Sequence, residues 1–209
     1  MFNKKILASA ISIVTALSMM GAATFAYFSD TGTNNDNVFS TGTLDMELSN
    51  DNSTFTEDVT ATFGLADGAP GDTFNDTLFI KNTGSVDANH IELTTINNVT
   101  ESEVAPGNSN SIFLDTVIEI TALDWDSDGN GSTETSVLSQ VTDANLNGYP
   151  DLDDLSVSGL DNLTFGGTQN IGHGLRIAGR FNPDDTVDQH QGDNVDVDLT
   201  LTMNQDSSQ

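Results

Sequence analysis

Two hydrophobic patterns divide the chain. From Ile6 to Met20 apolar and small residues run without a charge, directly behind Lys4 and Lys5. Beyond residue 40 the apolar positions recur every second residue, in short runs separated by Gly, Asn, Asp and Pro. Leu44, Met46 and Leu48 alternate with Asp45 and Glu47, and Val59, Ala61 and Phe63 alternate with threonines. Leu175, Ile177, Gly179 and Phe181 alternate strictly, as do Val195, Val197, Leu199, Leu201 and Met203. A strand buried on one face has this period of two, whereas a helix repeats every 3.6 residues. Leu78–Ile80, the turn residues Asn82-Thr83-Gly84-Ser85, and then Val86, Ala88 and His90 predict two strands joined by a tight turn. Ile112 to Leu123 predicts a longer apolar strand. No stretch of useful length after the N-terminal run has a helical period.

Many short strands with Gly/Asn/Asp/Pro turns predict an all-β fold, a two-sheet antiparallel sandwich of jelly-roll type with roughly seven to ten strands. Residues 41–209 form that domain. Residues 124–154 differ in composition and read as an Asp-rich insertion between strands. Residues 27–40 precede the domain as an extended N-terminal arm, polar between Tyr27-Phe28 and Val38-Phe39.

Residues 1–26 have the three parts of a secretory signal in order. These are the positive Lys4-Lys5 region, the apolar run, and small residues leading to Thr24-Phe25-Ala26. The expected cut follows Ala26, with Ala23 as second choice. The run is short and Ala/Ser-rich for a membrane span, so a retained anchor helix is the lesser reading. A type-IV-pilin leader needs Gly or Ala just after the lysines, and Ile6 stands there. No membrane span is expected once the signal is removed, and the exported chain is expected outside the cell or on its surface.

Charge sharpens this picture. All 32 Asp and Glu lie beyond residue 26, against Lys81, Arg176 and Arg180 as the only basic residues there. Such a surface excludes a nucleic-acid or anionic-lipid partner. It fits a salt-adapted solvation shell or a surface that collects Ca²⁺. With no cysteine in the chain, the fold relies on core, strand pairing, metal or assembly.

Three blocks then carry a family resemblance. They are Gly21-Ala22-Ala23-Thr24-Phe25-Ala26-Tyr27-Phe28-Ser29-Asp30, Val38-Phe39-Ser40-Thr41-Gly42-Thr43-Leu44-Asp45, and Pro70-Gly71-Asp72 followed by Phe79-Ile80-Lys81-Asn82-Thr83-Gly84-Ser85. In this order they resemble the TasA/camelysin family of secreted biofilm-matrix fibre subunits, to which related archaeal pilus subunits belong. The resemblance implies a jelly-roll subunit that polymerises outside the cell. An N-terminal strand of one copy would complete a sheet of the next, in a head-to-tail polymer that other matrix or pilus subunits could join. Tyr27, Phe28, Val38 and Phe39 are the expected apolar anchors of that strand.

The Asp-rich segment supplies candidate metal ligands. Numbered from Asp143, oxygen donors fall at positions 1, 3, 5, 9 and 12, which are Asp143, Asn145, Asn147, Asp151 and Asp154. Gly148 stands at position 6, and Tyr149 at position 7 would offer its carbonyl. A second string, Asp124, Asp126, Asp128 and Gly129, continues through Asn130 to Thr135 at position 12, so its closure needs Glu134 or a distant ligand. Ca²⁺ wants six to eight oxygens, and alternate residues of a tight loop supply them. In a chain this rich in Asp, Asn and Gly, solvated loops are the bland alternative.

Catalysis has little support. The chain contains only His90, His173 and His190, with no His-Glu-x-x-His spacing. His90 reads as a strand residue and His173 as part of a turn. No Gly-x-Ser-x-Gly nucleophile motif occurs. Asn52, Asn75, Asn98, Asn130 and Asn162 each open a glycosylation sequon, significant only in a host that glycosylates exported proteins. The reading is therefore a non-catalytic filament subunit with calcium as its expected ion. The alternatives are a monomeric Ca²⁺-dependent surface adhesin and, behind it, a camelysin-type metallopeptidase.

Overall fold

The computed structural model describes residues 4–23, 41–60, 63–102, 113–166, 169–185, 190 and 192–206. The chain divides into two units, Met1–Ser40 and Thr41–Gln209. In the first, the uninterrupted run forms one helix, α1, Lys4–Ala23. The hydroxyls of Ser12 and Thr15 donate to the carbonyls four residues back, at 3.0 and 2.8 Å, which satisfies polar groups inside an apolar helix. Among the described residues no helix is long and apolar enough to cross a membrane. The expected cut site and arm residues Tyr27, Phe28, Val38 and Phe39 lie outside the described residues.

The second unit contains eight described strands: β1 Met46–Ser49, β2 Thr73–Asn82, β3 His90–Thr100, β4 Ile118–Trp125, β5 Thr135–Ser136, β6 Leu160–Thr164, β7 His173–Phe181 and β8 Asn194–Asn204. They form two antiparallel sheets. One has five strands in the order β1-β2-β7-β4-β5, and the other has three in the order β6-β3-β8. Alternate residues from both sheets make one core, with Leu78, Ile80, Ile91, Leu93, Ile120, Leu123, Leu175 and Ile177 all buried. Trp125 joins the layers directly: its indole N–H donates 2.8 Å to the Thr164 carbonyl, from β4 to β6.

All three basic residues of this unit sit on the outer face of the larger sheet, and each lies directly opposite an acid. The pairs are Lys81 with Glu47, Arg176 with Asp124, and Arg180 with Glu119, at 3.1, 2.7 and 2.7 Å. Every Lys and Arg beyond Ala26 is thus matched across a strand pair, and no further Lys or Arg is left to answer the remaining acids.

Several local expectations are corrected. Residues 82–90 do not form a hairpin, because β2 and β3 belong to different sheets. The buried Asn82 side chain accepts from Gly84 N–H at 2.9 Å and donates to the Val86 carbonyl at 2.8 Å, turning the chain out of the larger sheet. Glycine is required at 84 because a Cβ there would lie 2.2 Å from the Thr43 carbonyl oxygen. Val59 and Phe63 lie in irregular backbone, so the expected strand there is missing; Ala61 is outside the described residues. Ile112 is also outside them, and the remainder of that run divides into a 3-10 turn, Leu114–Thr116, followed by β4. A second helix, α2 Leu152–Ser158, occurs where none was expected. Its N-cap is Asp151, which accepts from Asp154 N–H while Asp154 accepts from Asp151 N–H, a capping box made of two acids. Residues 124–154 are also more than a surface insertion, since Val137, Val141 and Leu152 are part of the core.

Candidate metal loops and an open groove

The first Asp-rich loop lies two residues further along than the spacing suggested. Asp124 points away from it and forms the Arg176 ion pair. The loop begins at Asp126, which is fully buried. Its Oδ1 accepts from the N–H of Gly129 and Asn130, and its Oδ2 from Gly131 N–H, at 2.8, 3.2 and 2.8 Å. Read from Asp126, the loop carries Asp128 at position 3, Asn130 at 5, Gly131 at 6 and Glu134 at 9. Carboxylate oxygens of Asp126, Asp128 and Glu134 come within 4.8 Å of one another.

This register matches the second loop, which starts at Asp143, position by position. Position 1 accepts from the N–H of position 5 in both, at 3.2 Å for Asp126–Asn130 and 3.1 Å for Asp143–Asn147. Its other oxygen accepts from the N–H of position 6, Gly131 at 2.8 Å and Gly148 at 2.9 Å. Position 3 accepts from position 5 N–H, and position 5 accepts from position 7 N–H, in each loop. The position-5 amide then donates to the position-9 acid, Asn130 to Glu134 at 3.4 Å and Asn147 to Asp151 at 2.7 Å. Gly131 and Gly148 both adopt left-handed backbone, φ 88° and 101°, which favours glycine. Position 4 is left-handed too, in Gly129 at φ 70° and Leu146 at φ 60°. The two loops are one structural motif used twice.

They close differently. Position 12 of the first loop is Val137, a core residue, so Glu134 is the last acid available. Position 12 of the second is Asp154, which accepts from Ala144 N–H at 2.8 Å and completes the capping box with Asp151. Asn145 and Asn147 both donate to Asp151 Oδ2, at 2.9 and 2.7 Å. Carboxylate oxygens of Asp151 and Asp154 converge with those of Asp153, a residue outside the expected set. Asp143 is held instead by the loop backbone, and Tyr149 docks the loop by donating its hydroxyl to the Thr116 carbonyl at 3.2 Å. Burial, more than any other cause, raises the Asp151 carboxyl to about 6. Each cluster can hold a cation.

The histidines are separate from these acids. His90 stands in β3 as expected, with Nε2 3.3 Å from Glu92 and 3.2 Å from the Asn204 amide. His173 is not in a turn: it opens β7, fully buried, with its ring stacked on Trp125 and tilted against Phe165 at 4.0 Å. Its Nδ1 lies 2.9 Å from the Asp126 carbonyl oxygen, so this aromatic cluster supports the first loop from below. His190, weighed in the sequence only for its spacing, is buried near Asp185 and Asp193.

The second feature is a groove of about 1150 Å³ along β8. Val195, Val197, Leu199 and Leu201 line it from the smaller sheet; Leu48, Phe74 and Leu78 line it from the larger one. Val59, Phe63 and Leu65, from the segment between β1 and β2, also border it. The inward residues of β8 are only half-buried, although they face the core side of the sandwich. Among the described residues β8 pairs with β3 alone, so its other edge has no strand partner.

No curated protein matches the chain. The model of the camelysin metallo-endopeptidase family matches it over residues 1–209. The resemblance carried by three N-terminal blocks thus extends to the full length, and the chain belongs to the TasA/camelysin family.

Proposed function

We propose that this chain is an exported, non-catalytic subunit of an extracellular filament, matrix fibre or pilus, in which residues 27–40 of one copy occupy the β8 groove of the next. The reading assigns residues 1–26 to a signal peptide cleaved after Ala26. One observation carries the filament reading: the apolar face of β8 is half-covered beside an unpaired strand edge. A strand laid there satisfies edge N–H and C=O groups and covers apolar surface in one step. Fully burying such a side chain stabilises by about 1.5–3 kcal/mol, so completing the half-buried row contributes several kcal/mol. The donor has apolar anchors at both ends, Tyr27-Phe28 and Val38-Phe39, with polar residues between. At about 3.3 Å per residue it reaches roughly 45 Å, enough to leave one domain and enter another. The contact is head-to-tail and does not close on itself, so it propagates.

Calcium is the ion proposed for the two loops. Their donors are oxygens alone, at alternate positions around a left-handed glycine, the chemistry of a hard cation. Neither loop includes a histidine, and no catalytic role is assigned to His90, His173 or His190.

Deleting residues 27–37 tests the assembly. The expected product melts like the parent and runs as a monomer that forms no filaments under microscopy. Normal filaments from the truncated chain would reject donation by this segment. A parent that is itself monomeric with its arm paired internally would favour the adhesin reading.

A further inference from the structure

Asparagine followed by glycine is a chemically labile pair, because glycine has no side chain to keep its nitrogen from the asparagine side-chain carbon. The chain contains this dipeptide twice, as Asn130-Gly131 and Asn147-Gly148. Both fall at positions 5 and 6 of the repeated loop, and all four residues are exposed to water. The reaction needs no enzyme. The glycine nitrogen loses its proton to water or hydroxide and bonds to the asparagine Cγ. The bond from Cγ to the side-chain nitrogen breaks, and that nitrogen takes up a proton and leaves as ammonia. Water then opens the cyclic imide at either carbonyl, giving aspartate or isoaspartate, so one water is consumed for each ammonia released.

Two arrangements in the fold oppose this reaction. In each loop the position-1 carboxylate holds the nitrogen that would attack. Asp126 Oδ2 accepts from Gly131 N–H at 2.8 Å, and Asp143 Oδ2 from Gly148 N–H at 2.9 Å. The other oxygen accepts from Asn130 or Asn147 N–H, at 3.2 and 3.1 Å, so the acid clasps the reactive pair at both residues. A carboxylate directs the N–H toward itself and, as a neighbouring anion, disfavours its deprotonation. The second arrangement differs between the loops. The Asn147 amide nitrogen donates to Asp151 Oδ2 at 2.7 Å and to the Thr116 carbonyl at 3.0 Å. Among the described residues the Asn130 amide nitrogen has one long contact, 3.4 Å to the exposed Glu134. Both side-chain oxygens also accept from the position-7 N–H, Ser132 at 2.8 Å and Tyr149 at 3.2 Å. Asn147 must therefore break three side-chain bonds before Cγ meets the glycine nitrogen, and Asn130 two, one of them weak.

We propose that Asn130 is a site of spontaneous deamidation in the folded subunit, and that Asn147 is the same dipeptide held unreactive by Asp143, Asp151 and Thr116. As aspartate, the product puts a further carboxylate beside Asp128 and Glu134. As isoaspartate, it lengthens the backbone by a methylene between the two N–H groups that Asp126 holds. Either product loosens the first loop of the metal-free chain and leaves the second intact. The inference needs neither a bound ion nor strand donation.

The test ages the full chain at mildly alkaline pH with chelator, beside a sample in urea, and follows each dipeptide by peptide mapping and mass spectrometry. In urea both should convert at similar rates. In the folded chain Asn147 should be slowed by an order of magnitude or more relative to urea, and Asn130 should convert several-fold faster than Asn147. Asp126→Ala should speed conversion at Asn130 alone, and Asp143→Ala at Asn147 alone. Folded-state conversion of Asn147 at or above the rate of Asn130 would overturn the proposal. So would an unchanged Asn130 rate in Asp126→Ala. A variant that has unfolded shows itself by speeding both dipeptides, and the two rates within the unsubstituted chain then decide the matter.

Discussion

The Trp125 indole N–H and the Thr164 carbonyl meet at 2.8 Å between the two sheets. This contact fastens β6 to the β4 side of the larger sheet, and a three-stranded layer fixed there does not cover the whole of a five-stranded one. The uncovered apolar surface is the β8 groove. Trp125→Phe keeps an aromatic ring but loses the bond and leaves a void. It should destabilise the domain by about 1–3 kcal/mol in urea unfolding, without abolishing assembly. An unchanged midpoint would mean the sheets are held elsewhere.

The loop register separates two neighbouring aspartates. Asp124→Asn breaks a partly exposed ion pair, worth about 0–1 kcal/mol, and should leave Ca²⁺ affinity unchanged. Asp126→Asn should weaken the first loop's affinity at least tenfold, as Asp143→Asn should for the second. Calorimetric titration of each variant distinguishes them. Equal losses for Asp124 and Asp126 would restore the register beginning at Asp124.

Asp151 gives a pH signature. Burial holds its folded carboxyl at about 6, above the ordinary aspartate range, so the folded state takes up the proton first. Stability of the metal-free protein should therefore rise as pH falls from about 6 toward 4. Bound Ca²⁺ reverses the sign, because the proton must leave before the ion binds. Melting curves with chelator at pH 7 and 4.5 measure this, and Asp151→Asn should remove its share of the rise. An identical rise in that variant would assign the effect to general charge neutralisation.

What the sequence revealed and what it hid have physical causes. β7 and β8 were legible because polar side chains interrupt the apolar residues regularly, the half-buried Arg176 and Arg180 in β7 and the exposed Asp196 and Asp198 in β8. The sandwich followed from such runs. Residues 82–90 misled because Asn-Thr-Gly-Ser reads as a hairpin turn, and only the buried Asn82 side chain shows that the chain changes sheets. α2 escaped because seven residues span about two turns, and its cap doubles as loop positions 9 and 12. The first loop was misnumbered because Asp124, Asp126 and Asp128 alternate evenly; Arg176, 52 residues distant, removes Asp124 from the series. A left-handed glycine shared by both loops, Gly131 like Gly148, was the signal that would have set the register. The Ser102–Asp193 bond was illegible because nothing in the spacing brings the two residues together before β3 and β8 pair.

Salt should favour the subunit. With three cations already paired, the remaining acids repel one another, and the screening length falls from about 10 Å at 0.1 M to about 3 Å at 1 M. Dilution into low salt with chelator should lower the melting temperature or dissolve filaments. Indifference to ionic strength in both assays would remove the role given to this charge.

The most direct measurement is an inter-subunit cross-link between the arm and β8. The chain has no cysteine, so a Phe39→Cys subunit can be mixed with separate Val197→Cys, Leu199→Cys or Leu201→Cys subunits and treated with a short thiol cross-linker. Strand donation predicts a covalent pair joining the two kinds of subunit for at least one β8 position, lost when residues 27–37 are deleted from the Phe39→Cys chain. Filaments that form normally while none of the three β8 positions links to the arm would contradict the account.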